Sequence, residues 1–330
     1  VIEVSVPVRI CDNGGWTDTW FGAPGKVLNI GVRPGVEVSM RATGGPDPIV
    51  VDVGGGDRYA VVPGAPRTAR HGLVEAAIDL VRPPDDTAIE MTICSSVPAG
   101  CGAGSSAAVA VAVLGALAAV RSEARTPREI AYLAHRLEVE VLGAESGIQD
   151  QLSAAFGGIN YIEIDPYPEA AIQRLGEWDD LEDGLSLVFL GRAHDSSGVH
   201  REVIEHLSQG ASPAALEALR AAAVAARDAV VARDLRAFGQ AMIDNTDGQR
   251  ALHPRLVGAD AQRVFECAVR DGALGWKVNG AGGDGGSVTI LHAGPDDRDA
   301  FRAHTTQLDP RYRVLDCAIA PAGLEITGVL

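Results

Sequence analysis

Between Pro98 and Val120 the chain reads Pro-Ala-Gly-Cys-Gly-Ala-Gly-Ser-Ser and then continues as an unbroken run of small apolar residues from Ala107 to Val120. This pairing constrains the fold more than any other segment. A helix that is apolar on every side must be buried on every side. The run is too short for a membrane span, which takes ~20 residues, and it is largely alanine. It therefore predicts a helix threaded through the core of a globular domain. Glycines at 100, 102 and 104 let the preceding loop approach a ligand closely. Unpaired amides and the positive end of the helix dipole then make an anion site. A serine hydroxyl at Ser105 or Ser106 can reach a metal bound to phosphates. The plainer alternative is a flexible turn capped by serine.

The rest of the chain supplies strands and helices without a regular βαβ alternation, so an α+β architecture is expected. Strands are predicted at Val4–Ile10, Val27–Val32, Val36–Ala42, Ile49–Val53 and Ala88–Cys94, separated by Gly, Pro and Asp clusters. Thr126-Pro127-Arg128-Glu129 combines a capping box with proline at the first helical position, and an apolar stripe carries that helix to Gly143. The stretch from Asp165 to Gly184 is acidic and reads as a loop, which makes it the expected boundary between residues 1–184 and 185–330. Beyond it follow a strand at Ser186–Leu190, one long alanine-rich helix over Pro213–Ile243, a helix over Pro254–Arg270 and a strand at Ser287–His292. At 330 residues the chain is long enough for two such domains.

A formal net charge of −16 excludes nucleic acid and anionic membrane surfaces as natural partners. Any phosphorylated ligand must be held locally, by a few cations, backbone amides and a metal. Five cysteines, an odd number with no C-x-x-C pair, fit free thiols in a reducing compartment. A cytoplasmic enzyme, monomer or homodimer, is expected.

Three further segments carry chemistry. Gly147-Ile-Gln-Asp-Gln151 sets Asp150 among glycine, amides and apolar residues, where a carboxylate can accept a hydroxyl proton. Lys277-Val-Asn-Gly-Ala-Gly-Gly-Asp-Gly-Gly286 is longer than a hairpin needs and reads as a ligand-facing loop. Arg9-Ile-Cys-Asp-Asn-Gly-Gly-Trp-Thr-Asp18 ends a strand in a cluster of hydrogen-bonding groups suited to a polar ligand. No G-x-x-x-x-G-K-[ST] loop occurs, and Pro98–Ser106 lacks the dinucleotide fingerprint, so a nicotinamide oxidoreductase is disfavoured.

Taken in order, these segments resemble the motifs of the GHMP kinases, the family of galactokinase, homoserine kinase, mevalonate kinase and phosphomevalonate kinase. Pro98–Ser106 matches Pro-x-x-x-Gly-Leu-Gly-Ser-Ser with Ala103 in place of leucine. Gly280–Gly285 matches the C-terminal glycine motif, interrupted by Asp284. The resemblance implies an N-terminal domain like domain 2 of ribosomal protein S5, a ferredoxin-like C-terminal domain, and ATP with Mg²⁺ between them. It implies that Pro98, Gly100, Cys101, Gly102, Ala103, Gly104, Ser105 and Ser106 surround the nucleotide. Ser106 and Glu138, five positions before Gly143, would hold the metal. Asp150 corresponds to the catalytic aspartate and Arg9 to its basic partner.

Gly14-Gly-Trp-Thr-Asp-Thr19, Gln149-Asp-Gln151, Ala155-Phe-Gly-Gly158 and Asp195-Ser-Ser197 resemble the heptose 7-phosphate 1-kinase and fucokinase branch, which phosphorylates the anomeric oxygen. The implied acceptor is a small-molecule sugar or sugar phosphate, met by Gly15, Trp16, Thr17, Asp18, Gly147, Gln149, Gly282 and Gly283. A heptose 7-phosphate would need a second anion pocket, for which Lys26, Arg33, Arg192, His194 and Arg201 are candidates. The resemblance also leaves room for a fucose, galactose, uronic acid or isoprenoid substrate, or for a non-catalytic sensor. Asp284 would add negative charge near a phosphate site, and Cys101, if exposed, would make the loop oxidisable.

Overall fold

The computed structural model describes the chain except residues 46–48, 69, 195, 209–212 and 329–330 and the side chains of 196 and 197. Asp195 and the side chains of Ser196 and Ser197, expected to mark the branch, therefore lie outside the described residues.

Strand β1 (Ile2–Asn13) is buried along nearly its whole length, so its apolar run needs cover on both faces. It receives that cover because β2 (Gly25–Gly44) runs antiparallel beside it for the full length and helices pack over both. Two separate strands were expected here. Arg33-Pro34-Gly35 instead continues one strand, because the neighbours change at that point. Residues 25–30 pair with β6 (Ile159–Ile164), residues 32–33 with β12 (Ala318–Ile319), and residues 36–44 with β5 (Thr87–Ser95). Proline and glycine sit where one ladder ends and the next begins, so no interior ladder bond is lost.

Strands β3 (Ile49–Val53), β4 (Asp57–Val61), β7 (Ala170–Arg174) and β13 (Glu325–Gly328) complete a nine-stranded sheet among the described residues. Only β3 and β5 run parallel in it. The two strands contributed from the end of the chain, β12 and β13, lie on β2 and β1.

Helix α2 (Ser105–Val120) is buried on all sides, as its composition predicts, among α1 (Gly72–Leu80), α3 (Pro127–Arg136), α4 (Gln149–Phe156) and the sheet. The capping box at Thr126 and Glu129 is present with both of its hydrogen bonds. After Arg136 the helix widens to a π turn over Leu137–Val141, a local form that recurs at functional sites.

The stretch from Asp165 to Gly184 is not a loop. It holds β7, whose backbone completes the free edge of β6, and α5 (Asp179–Gly184), anchored by buried Trp178 and Leu181.

A second sheet of β8 (Leu185–Phe189), β9 (Gly275–Val278), β10 (Ser287–Leu291) and β11 (Arg313–Leu315) has the order β11-β8-β10-β9, all antiparallel. With α9 (Ala259–Arg270) and α10 (Pro295–Leu308) it forms the β-α-β-β-α-β arrangement of a ferredoxin-like domain, with its own core around Phe265, Val288 and Phe301.

Between β8 and α9 the chain inserts α6 (Ser196–Ser208), α7 (Pro213–Ala232) and α8 (Leu235–Leu252). The single helix expected over Pro213–Ile243 is broken at Arg233-Asp234. Asp234 caps α8 by accepting the Ala237 amide, and a capping carboxylate starts a new helix more favourably than it continues an old one. The helix expected from Pro254 likewise begins as a single 3₁₀ turn and restarts at Ala259 after Gly258. Ala223, Ala226, Phe238 and Met242 press α7 and α8 onto the first sheet. Asn245 accepts the Gly14 amide at 2.6 Å and so ties α8 to the end of β1.

Candidate active site

A cavity of about 350 Å³ opens where the end of β1, the loop before α2, the start of α4 and the loop after β9 converge. Gly104, in the left-handed conformation at φ 67°, caps α2 and lets its first turn face the cavity. A Cβ there would stand 3.1 Å from Asp150 Oδ2, so the loop and the carboxylate are fitted to each other.

Arg9 is buried and grips Asp150 with two donors, Nε to Oδ1 at 2.8 Å and Nη2 to Oδ2 at 3.0 Å. Its Nη1 donates to the Gly102 carbonyl and its amide to that of Ala103 at 2.9 Å. Burial alone would lower the guanidinium pKa, but Asp150 and Asp12 raise it, so Arg9 is a fixed cation.

Ser106 Oγ donates to Glu138 Oε1 at 3.0 Å, joining the first turn of α2 to the π turn. Ser146 Oγ and Gln151 Nε2 donate to Glu138 Oε2 at 3.0 and 2.5 Å. Burial, followed by the Asp150 charge, raises the Glu138 pKa, and these donors pull it back. Glu140 is exposed and lies 3.7 Å from Arg136, so the π turn sends one glutamate inward and the other to the surface. A hydroxyl and a carboxylate side by side, facing a cleft with room for phosphates, suit Mg²⁺, which commonly takes one or two protein oxygens and fills its other positions with phosphate and water. Among the described residues no cluster of three or more His, Cys, Asp or Glu side chains makes a self-sufficient metal cage.

Asp18 is buried beside Gly147 and accepts the Gln149 amide at 3.2 Å. Burial and then the charge of Asp150 push its pKa up to about 7. Trp16 packs edge-on against His200 at 4.8 Å and near Phe21 at 6.3 Å, and its buried indole N–H has no acceptor among the described residues.

Several predicted residues lie off the cavity lining. Ala103 and Cys101 are buried beneath the loop. Burial raises the Cys101 thiol pKa, which removes the exposed, oxidisable thiol considered from the sequence. Pro98 closes the turn by accepting the Cys101 amide. Gly15 backs onto Asp12, and the Thr17 hydroxyl donates to the Gly14 carbonyl at 2.7 Å. Gly282 and Gly283 face Leu256 and Val199, while Gly280 and Ala281 line the cavity instead. Asp284 is exposed beside Gly258 and does not reach the lining. Of the five cations proposed for a second anion pocket, only His194 lines it. Arg33 pairs with Glu325 and Arg192 with Asp260.

Sequence reasoning missed the buried pair beneath the glycine-rich segment 277–286. Lys277 Nζ lies 3.0 Å from Asp12 Oδ1, with side chains 0% and 1% exposed. Asp12 also accepts the Gly280 amide at 3.1 Å and Gln149 Nε2 at 3.5 Å, which ties β1, the glycine loop after β9 and α4 together. Burial would raise the Asp12 carboxyl pKa, but Lys277, Arg9 and the Gly280 amide hold it below the ordinary range. Lys277 is one of two lysines in the chain, which was the available signal.

Residues 72–158 match the GHMP kinases N terminal domain. Over 195 residues the chain is 27% identical to D-glycero-alpha-D-manno-heptose 7-phosphate kinase of Campylobacter jejuni, covering 58% of each chain. Over 91 residues it is 46% identical to mevalonate kinase of Thermococcus gammatolerans, covering 27% of each. The chain thus spans 58% and 27% of the length of these two relatives. Its fold superposes on a D-glycero-D-manno-heptose 1-phosphate kinase from Bacteriodes thetaiotaomicron with a TM-score of 0.77, at 19% identity over 100% of both chains.

Proposed function

From the GHMP kinase fold and the GHMP kinase N-terminal domain that this chain carries, we propose that it is an ATP-dependent sugar kinase, moving the γ-phosphate of ATP to the anomeric C1 hydroxyl of a sugar or sugar phosphate. The observation that carries this reading is the two-pronged Arg9–Asp150 pair, set in a cavity between two glycine loops and beside the amides of a helix N-terminus.

In this reading the Gly100–Ser106 backbone and the first turn of α2 receive the triphosphate. Ser106 and Glu138 would hold Mg²⁺, which supplies neutralisation of the phosphate charge. Asp150 accepts the proton of the C1 hydroxyl as its oxygen attacks the γ-phosphorus in line, and the β–γ bridging oxygen leaves with ADP. Arg9 fixes the Asp150 carboxylate through its two-pronged hydrogen bond and offsets charge on the equatorial oxygens of the transferring group. Asp18, Gln149 and Trp16 meet the acceptor hydroxyls. Residues 1–184 and 185–330 serve as the two walls, in a cytoplasmic enzyme working as monomer or homodimer.

The relatives named above act on a heptose 7-phosphate and on mevalonate, and the glycine-and-tryptophan segment at 14–19 favours the sugar side. The test is release of ADP with ATP and Mg²⁺ in the presence of free sugars, sugar phosphates and mevalonate. Sugar-dependent ADP release supports the reading. Turnover with mevalonate alone, or nucleotide binding without turnover, overturns it.

A further inference from the structure

We propose that the acceptor is a free sugar carrying no phosphate of its own, a narrowing that rests on the kinase reading above. The charge on the cavity wall is the starting point. Asp12, Asp18, Glu138, Glu145 and Asp150 line it, against Arg9 as the one permanent cation among the described lining residues. Arg9 is matched to Asp150, and Lys277, buried behind the wall, is matched to Asp12. Glu138 is joined to Ser106 at the nucleotide end. Among the described residues neither Asp18 nor Glu145 has an ion-pair partner of its own, though Asp18 lies within the field of Arg9. Asp18 accepts the Gln149 backbone amide at 3.2 Å, and Glu145 accepts the Trp20 indole N–H at 2.5 Å.

The positive groups that could receive a second phosphate lie elsewhere. Arg33 is paired with Glu325 and Arg192 with Asp260, and neither Lys26 nor Arg201 reaches the lining. The undescribed positions 46–48, 69, 195–197, 209–212 and 329–330 contain no lysine, arginine or histidine, so no cation is hidden there. Two histidines line the cavity. His194 Nδ1 meets the Gly100 carbonyl at 2.9 Å, at the nucleotide loop. His200 stands against Trp16, and burial pushes its pKa below the usual imidazole range.

A phosphate dianion brought there would meet the Glu145 carboxylate at the exposed rim and, as the pH rises through its raised pKa, the charge of buried Asp18, where repulsion is weakly screened. Sugar hydroxyls meet complementary partners in the same place. Asp18, Glu145 and the Gln149 side chain can accept O–H donors.

The test compares kcat/KM for free hexoses and heptoses with that for the same sugars phosphorylated at the far end, at position 6 or 7, with ATP and Mg²⁺. Like-charge juxtaposition in a binding site predicts a preference of about 100-fold or more for the free sugar. A Glu145→Arg variant, at an exposed position whose only described hydrogen bond is the one from Trp20, should narrow that ratio by about tenfold. A wild-type enzyme that prefers the 6- or 7-phosphate overturns the inference and leaves the kinase reading standing. An unchanged ratio in Glu145→Arg also counts against it. Absence of turnover with every sugar of either kind, while mevalonate is phosphorylated, removes the kinase reading on sugars and this inference with it.

Discussion

Asp18 lies so close to the backbone of Gly147 that a Cβ at residue 147 would stand 3.0 Å from Oδ1 and overlap Oδ2 and Cγ outright. The missing side chain sets how deeply the carboxylate sits and leaves it free to accept the Gln149 amide. Gly147→Ala should therefore turn Asp18 out of place. Loss of a charge-assisted hydrogen bond to the acceptor corresponds to about a 10–100-fold rise in KM for the sugar. Initial-rate kinetics check this, with the KM for ATP nearly unchanged.

Asp150→Asn keeps the size of the side chain and an acceptor for Arg9 Nε but removes the proton acceptor. Turnover should fall by about 10²–10⁴, with ATP affinity by calorimetry close to that of the wild type. A variant with wild-type kcat would take the base role away from Asp150.

The raised pKa of Asp18 fixes a sign for stability against pH. Its folded pKa of about 7 exceeds the unfolded value near 4. Folding therefore holds a proton that the unfolded chain releases between those values. The stabilising contribution is complete below about pH 4 and is lost as the pH rises through about 7, by up to ~1.4 kcal/mol per pH unit inside that window. Urea unfolding from pH 5 to 8 should show a falling component in the wild type that is missing in Asp18→Asn.

Lys277→Met leaves the Asp12 carboxylate buried with its main counter-charge gone. Removing one partner of such a pair costs about 3–5 kcal/mol, measured as a shift of the urea midpoint at constant slope. Adding Asp12→Asn to Lys277→Met should restore part of that loss, because the uncompensated charge is then gone.

The loop at 98–106, the buried helix after it and the capping box at Thr126 were legible because each is a local pattern with a local cause. Arg9, Glu138 and Asp150 are singled out by the resemblance to the GHMP motifs, and the structure brings all three to one cavity. The choice between Glu138 and Glu140 has a physical cause that periodicity could not supply, since the π turn changes the residue count per turn. The Asp12–Lys277 pair joins residues 265 apart with no repeating pattern between them. Strands β12 and β13 are short and partly exposed, so they gave no alternating apolar signal. The break at Arg233-Asp234 was masked by alanine-rich sequence on both sides, although Asp234 is a good capping residue. Charge pairing cannot be read from composition either. Arg33 and Arg192, two of the candidates for a second anion pocket, are paired with Glu325 and Asp260.

The most direct test of transfer to an anomeric oxygen is a proton-coupled phosphorus NMR spectrum of the product formed from ATP, Mg²⁺ and a free sugar. The account predicts loss of the γ-phosphate signal and a new phosphomonoester split by the proton on C1. An ester coupled to protons of another carbon, or free phosphate in place of an ester, would contradict it.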